Sequence, residues 1–221
     1  MMDYGNLPDF TDKVVLVTDT DSLMGYAIAE ALVNSGACVY GVSAHHDQCA
    51  EQVKNLRPLG KASVHVADLR NGMAALQLAH LINEELPQLH LLVSIARIAE
   101  NSAATDLLRG ISQGGTEILG EMAFVQELLP TLRAASIPAE PARVVLVGDF
   151  SQSPVQLKLG RQAKEIAARL AEQRVNLNLI DLSLVEGTTE SAASFFVLSA
   201  LTGLLSAGAS GRKGDAEGLL H

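Results

Sequence analysis

The sequence predicts an α/β fold, a single domain built on a doubly wound parallel sheet. Three observations carry that prediction. Short apolar runs of strand length alternate with amphipathic runs of helix length, the signature of βαβ units. The connections between the runs are short, and short right-handed crossovers place helices on both faces of one sheet. The composition suits one large core: 221 residues, 48% hydrophobic and 19% charged. No internal repeat or linker divides the chain. We place an N-terminal extension at 1–12, the domain at 13–207 and a Gly-rich tail at 208–221.

Lys13-Val14-Val15-Leu16-Val17-Thr18 reads as a buried first strand. Leu23 to Ser35 reads as a helix stopped by Gly36. Cys38 to Ser43 is the second strand, and Cys49 falls in a helix beyond it. Val64-His65-Val66 is a short third strand, followed by a helix from about Gly72 to Leu86. Leu91 to Ser94 is the fourth strand, and a long helix covers about Glu117 to Ala135. Arg143 to Val147 is the fifth strand. A helix from about Val155 to Gln173 leads to a sixth, Leu177 to Ile180, and a last helix runs from Ala192 to Leu205. In such a sheet ligands bind at the carboxyl ends of the strands, where the first and fourth strands part.

A net charge of −9 and the absence of a basic run argue against nucleic acid or an anionic membrane as partner. The start Met1-Met2-Asp3-Tyr4-Gly5-Asn6 carries no secretory signal pattern. The most apolar stretch, Ala192 to Ala209, is interrupted by Ser194, Ser199, Thr202, Gly203, Ser206 and Gly208, so it reads as a buried or interface helix, not a membrane span. Two cysteines, Cys38 and Cys49, fit a reducing cytoplasm, with Cys38 expected in the core.

The segment Val15 to Glu30, with Thr18-Asp19-Thr20-Asp21-Ser22-Leu23-Met24-Gly25 at its centre, resembles the Thr-Gly-x-x-x-Gly-x-Gly turn and following helix of the short-chain dehydrogenase/reductase family. Phe124 to Pro130 resembles the family's fourth-helix ending, and Leu184-Val185-Glu186-Gly187-Thr188 the stretch after its sixth strand. The resemblance runs from Lys13 to about Gly211 and points to 3-oxoacyl-thioester reductases within the family. It implies a Rossmann fold binding NAD or NADP.

The positions to which the resemblance assigns chemistry hold other residues. The first turn glycine gives the tight bend, the second admits the pyrophosphate, and the third allows close helix–strand packing. Here they are Asp19, Leu23 and Gly25. Asp21 and Ser22 stand at the helix N-terminus, where Asp21 is expected to cap the helix and to repel a phosphate. Ser43-Ala44-His45-His46-Asp47 lacks the ribose acid or phosphate arginine at its place, and its histidines read as exposed loop residues. Asp68 matches the adenine-contacting Asp, though it equally caps the next turn. Ser94-Ile95-Ala96-Arg97 replaces Asn-Asn-Ala-Gly, leaving Arg97 able to pair with Asp19 or Asp21. Glu117 aligns with the Asn that holds a relay water.

The family reacts through a Tyr-x-x-x-Lys pair preceded by a serine, the lysine lowering the tyrosine's pKa. Asp149 or Gly148 takes the serine position, with Ser151 close by; Gln152 takes the tyrosine position and Gln156 the lysine. Sliding the helix brings Lys158 or Lys164 to the lysine, but the three tyrosines are Tyr4, Tyr26 and Tyr40, and none can serve. There is no Gly-x-Ser-x-Gly elbow and no Gly-Lys-Ser/Thr loop, and no metal site is expected. His65, His80 and His90 read as structural.

These features predict a non-catalytic subunit that binds no cofactor itself and pairs with an active, NAD- or NADP-using homologue acting on a ketone or 3-oxoacyl thioester. The family pairs through two helices, here 117–135 and 155–173. Their apolar stripes, Ile118, Met122, Val125 and Leu129 on one and Leu159, Ile166 and Leu170 on the other, are the expected interface. Two alternatives stand beside it: a divergent oxidoreductase using Lys158 or Ser151, and a homodimeric protein whose cleft takes another ligand.

Overall fold

The computed structural model describes residues 7–69, 71–95, 123–148, 167–182 and 190–209. Its strands are β1 (Val14–Val17), β2 (Cys38–Ser43), β3 (Ala62–Val66), β4 (Leu91–Ile95), β5 (Ala142–Gly148) and β6 (Val175–Asp181). They form one sheet in the order β3-β2-β1-β4-β5-β6, and every neighbouring pair is parallel. This is the doubly wound parallel sheet the sequence predicts, and the order reverses between β1 and β4.

The described helices are α1 (Leu23–Asn34), α2 (His46–Leu56), α3 (Gly72–Glu85), α4 (Leu129–Ala135) and α5 (Glu190–Ala209). Alternation along the strands sends side chains to two cores. Leu16, Leu92, Val144 and Leu146 face α3, Phe124, Leu132 and Leu170. Val15, Val17, Val93, Val145 and Val147 face α1, Leu56 and the Val197–Leu201 portion of α5. Helix α1 ends as its sequence requires. Gly36 takes φ +93, its N–H reaches the Val33 carbonyl, and the Ala37 N–H reaches Leu32, closing a Schellman motif.

Several expectations need correction. The helix over 117–135 is interrupted within its described part. Residues 123–127 are helical, Leu128 forms a junction at φ −76 and ψ −3, and α4 begins with Pro130 in its first turn. Pro130 has no N–H to return to Gln126, so the ladder breaks there. Val125 and Leu170 belong to the buried core of this chain, and Leu129 packs against it. That part of the expected interface stripe is therefore covered from within, while Gln126, Glu127, Pro130, Arg133 and Ala134 face outward. Cys38 is half-buried at the start of β2, outside the core proper. No helix among the described residues is long and apolar enough to cross a membrane.

His90, just before β4, fixes the start of β1. Its N–H donates to the Val14 carbonyl at 2.9 Å, and its Nδ1 accepts the Val14 N–H at 3.0 Å. Burial and the Lys13 ammonium hold its pKa below the ordinary imidazole range, with Glu140 opposing. The unfolded chain therefore takes up a proton at higher pH than the folded one. Stability should fall as pH drops below about 6.5, until the folded imidazole itself titrates. Denaturant unfolding of His90→Asn, whose amide oxygen can still accept from Val14, should show a flatter pH profile than the unaltered chain.

Candidate functional site

The site is the crevice at the carboxyl ends of β1 and β4. Its floor is Thr18, whose N–H donates to the Val93 carbonyl at 3.0 Å and whose hydroxyl accepts the Ile95 N–H at 2.8 Å. Ser94 is fully buried beside it on β4. From this floor the chain turns sharply into α1.

The turn has the shape of a glycine-rich loop made largely without glycine. Asp19 occupies the left-handed region at φ +54, a conformation Asp tolerates better than most side chains. Gly25 performs the packing role assigned to it. A Cβ there would lie 2.2 Å from the Asp19 carbonyl oxygen and 3.0 Å from the Thr20 Cα, both rigid backbone. Helix α1 can approach β1 this closely only because position 25 has no side chain.

Polar side chains of the protein hold the turn from outside. The Thr20 N–H donates to the Val42 carbonyl at 2.9 Å, and its fully buried hydroxyl lies 2.9 Å from Gln52 Oε1 and 3.1 Å from the same carbonyl. Gln52 Nε2 donates back to the Thr20 carbonyl at 2.7 Å. The turn is thus latched to β2 and to α2. Gly41 makes room for the latch, since a Cβ there would lie 3.1 Å from the Thr20 methyl. Sequence reasoning missed Thr20 and Gln52, because a Thr between two acids gives no signal until α2 brings Gln52 to it.

The helix cap differs from the expected one. Ser22, not Asp21, is the N-cap of α1: its hydroxyl accepts the Gly25 N–H at 2.9 Å and donates to the Asp19 carbonyl at 2.8 Å. The Asp21 side chain is instead buried at 4% exposure. Its Oδ2 lies 3.5 Å from His45 Nε2, and its Oδ1 has no hydrogen-bond partner. His45 is the N-cap residue of α2, and His46 opens that helix, so this pair is not loop as expected, although both rings are largely exposed. Leu23, where the second turn glycine would stand, is 50% exposed.

The remaining expected residues divide in two. Asp68 lies beyond β3, where its carbonyl accepts the Asn71 N–H, and the N-cap of α3 is Asn71. Arg97, Glu117, Asp149, Ser151, Gln152, Gln156, Lys158 and Lys164 lie outside the described residues. Of the tyrosines, Tyr26 and Tyr40 are described. Burial pushes both phenols up, with Glu30 adding to the effect at Tyr26 and Cys38 at Tyr40. That is opposite to the lowering an acid–base tyrosine needs. The other histidines have structural contacts: His65 stacks on Tyr40 with centroids 6.0 Å apart, and His80 lies 3.3 Å from Glu84 one turn on. Cys49 Sγ donates to the Val64 carbonyl, 3.3 Å away. Among the described residues no three His, Cys, Asp or Glu cluster to hold a metal.

The family profile described as short chain dehydrogenase matches residues 13–135. This chain belongs to the short-chain dehydrogenase family. It is 25% identical over 185 residues to the rhamnolipids biosynthesis 3-oxoacyl-[acyl-carrier-protein] reductase of Pseudomonas aeruginosa, covering 76% of this chain and 71% of that one. A short-chain dehydrogenase/reductase of Armillaria gallica is 32% identical over 63% of this chain, which spans 46% of that relative. Among solved structures, the P. aeruginosa RhlG/NADP active-site complex superposes with a TM-score of 0.66 at 25% identity, over 79% of this chain and 74% of that one. A metagenomic short-chain oxidoreductase in complex with NADP reaches 0.70 at 18% identity, over 88% and 92%. The second of these bears on the fold alone.

Within the short-chain dehydrogenase frame, position 25 has no room for a side chain. Gly25→Ala should destabilise the chain by about 1–3 kcal/mol or prevent folding, because no flexible side chain can yield to the added carbon. Thermal unfolding of the variant against the unaltered chain measures it.

Proposed function

We propose that this chain is a non-catalytic member of its family. It binds no dinucleotide itself and serves as a subunit that pairs with and stabilises an active homologous oxidoreductase. The observation that carries the reading is the Asp21 carboxylate, buried at the N-terminus of α1 and turned toward His45. A helix N-terminus attracts an anion, and in this family the anion is the cofactor's pyrophosphate. Here a carboxylate of the chain stands at that helix end. An incoming phosphate would meet a like charge at a cost of about 4 kcal/mol for ~4 Å separation, roughly a thousandfold in affinity.

Two further features support the reading. The Leu23 side chain projects where a glycine would let the phosphates approach backbone. No tyrosine follows Tyr40 in the sequence, so the family's proton donor has no counterpart. The residues present do not fit NAD or NADP. The likeness to a 3-oxoacyl-[acyl-carrier-protein] reductase suggests a ketone or 3-oxoacyl thioester as the substrate of an active partner.

A second reading, a divergent NADP-dependent oxidoreductase, is favoured by the 25% identity to a relative held in complex with NADP. Calorimetric titration separates the two. The purified chain should bind neither NADH nor NADPH more tightly than about millimolar. Asp21→Ser with Leu23→Gly should improve binding only in part, since Asp19 and the altered Ser94 loop remain. A micromolar dissociation constant for the unaltered chain would establish the second reading instead.

Pairing is tested by sedimentation. The chain should associate with itself or with an active homologue through the outer faces of 117–135 and 155–173. Charges placed on those faces, Ala134→Glu with Ala171→Glu, should shift it toward monomer while leaving its secondary structure intact. A stable monomer of the unaltered chain, alone and in mixture with an active homologue, would overturn the pairing.

A further inference from the structure

A second cavity lies at the opposite end of the sheet. It measures about 320 Å³ and is lined by residues at the amino ends of β1, β4 and β5, among them Lys13, His90 and Arg143, and by Leu205 of α5. We propose that this cavity binds a small carboxylate with a short apolar tail, held by the Arg143 guanidinium and the His90 Nε2–H.

The argument begins with the donors. Arg143 is half-buried at the second position of β5, and its guanidinium makes no hydrogen bond among the described residues. A planar fork of N–H groups turned into a cavity fits a carboxylate in bidentate fashion. His90 supplies a third donor at a fixed place. Its Nδ1 is committed to the Val14 N–H, so the neutral ring carries its proton on Nε2. Burial favours that neutral ring and also draws the Arg143 pKa down, with Glu140 opposing at both, so a bound anion would add to the support of the charged guanidinium.

The acids in the cavity set the ligand's charge. Glu140 is taken by Lys13 at 2.7 Å, and Asp9 by the Thr11 N–H and hydroxyl at 2.8 and 2.6 Å. Arg143 has no ion-pair partner within 4 Å among the described residues, so its guanidinium stays open to a carboxylate, although Asp9 and Glu140 balance Lys13 and Arg143 in formal charge. A phosphate dianion would add repulsion from both acids. The rest of the wall is apolar. Phe10, Leu91 and Leu205 line it, and Ile137 stands at it 53% exposed, a surface an alkyl tail would cover. The volume is at the small end of the range for small-molecule sites, which favours a tail of a few carbons.

The test uses the full chain, with sodium hexanoate and inorganic phosphate titrated separately at constant ionic strength. Calorimetry reads affinity, and the histidine ring resonances read location. Hexanoate should bind saturably, shift the His90 resonances and leave those of His45 unmoved, with phosphate much weaker. Arg143→Gln should weaken hexanoate by roughly tenfold or more, and Arg143→Lys by less. Ile137→Ser, on the exposed rim, tests the tail if the arginine variants fold poorly: hexanoate should weaken while acetate does not. Absence of saturable binding, perturbation of His45 instead of His90, phosphate binding as tight as hexanoate, or hexanoate affinity unchanged in folded Arg143→Gln or in Ile137→Ser would each overturn the proposal.

Discussion

Helix α1 lies so close to the end of β1 that one added carbon at Gly25 would fall within 2.2 Å of a backbone oxygen. Everything at the carboxyl edge of the sheet follows from that approach. It forces the turn between β1 and α1 to be short, and a short turn needs a left-handed residue, which Asp19 supplies at φ +54. It sets Ser22 where its hydroxyl can bridge the Asp19 carbonyl and the Gly25 N–H. It also carries Asp21 into a buried position facing α2. The packing glycine and the ligand glycines of the family motif are physically separable, and this chain keeps the one on which the fold depends.

The turn here is stabilised from within the protein. In a dinucleotide-binding loop, glycine backbone surrounds a ligand that supplies the anion for the helix end. In this chain Asp21 stands at the helix end, and Thr20, Gln52 and the Val42 carbonyl form a closed set of hydrogen bonds around the turn. Each such bond contributes on the order of 1 kcal/mol, and a buried set left half-made would cost more than it gains. These bonds hold the loop from within the chain. The same contacts leave it little freedom to rearrange around a ligand.

The strands were legible because parallel strands buried on both faces read as apolar runs, and Val14–Val17, Leu91-Leu92-Val93 and Val144-Val145-Leu146-Val147 are such runs. The end of α1 was legible from Gly36. Helix α2 was less legible: its apolar stripe is only Cys49, Val53 and Leu56 in a segment otherwise mostly polar, and only Gln52 and Leu56 on it are buried. The cap was misread because Asp21 and Ser22 are adjacent and both cap well, and only the approach of Gly25 decides between them. Val125 and Leu170 were placed in the interface stripe for a different reason. Periodicity shows that they are apolar positions on their helices, but not whether they meet a partner or the chain's own core, and both belong to the core. The Thr20–Gln52 latch and the Asp21–His45 contact join residues far apart in the chain, which no local pattern signals.

The charges along the sheet connect both ends of the molecule. Lys13, Lys61, His90 and Arg174 each directly precede a strand, and Arg143 is the second residue of its own. Asp19, Asp21, Asp68 and Asp181 lie at or just past the strands' carboxyl ends. Helices in a βαβ sheet run antiparallel to the strands, so their positive N-termini gather at the carboxyl edge and their negative C-termini at the other. Acids at the first edge and bases at the second are the arrangement those dipoles favour. A dinucleotide site works against half of this, since it needs the carboxyl edge kept clear of acids so that the ligand can supply the negative charge. In this chain acidic side chains gather at that edge. At the amino edge Arg143 lines a cavity whose acids are engaged by Lys13 and Thr11. The proposed carboxylate site would place an anion at the end of the sheet opposite to the family's cofactor crevice.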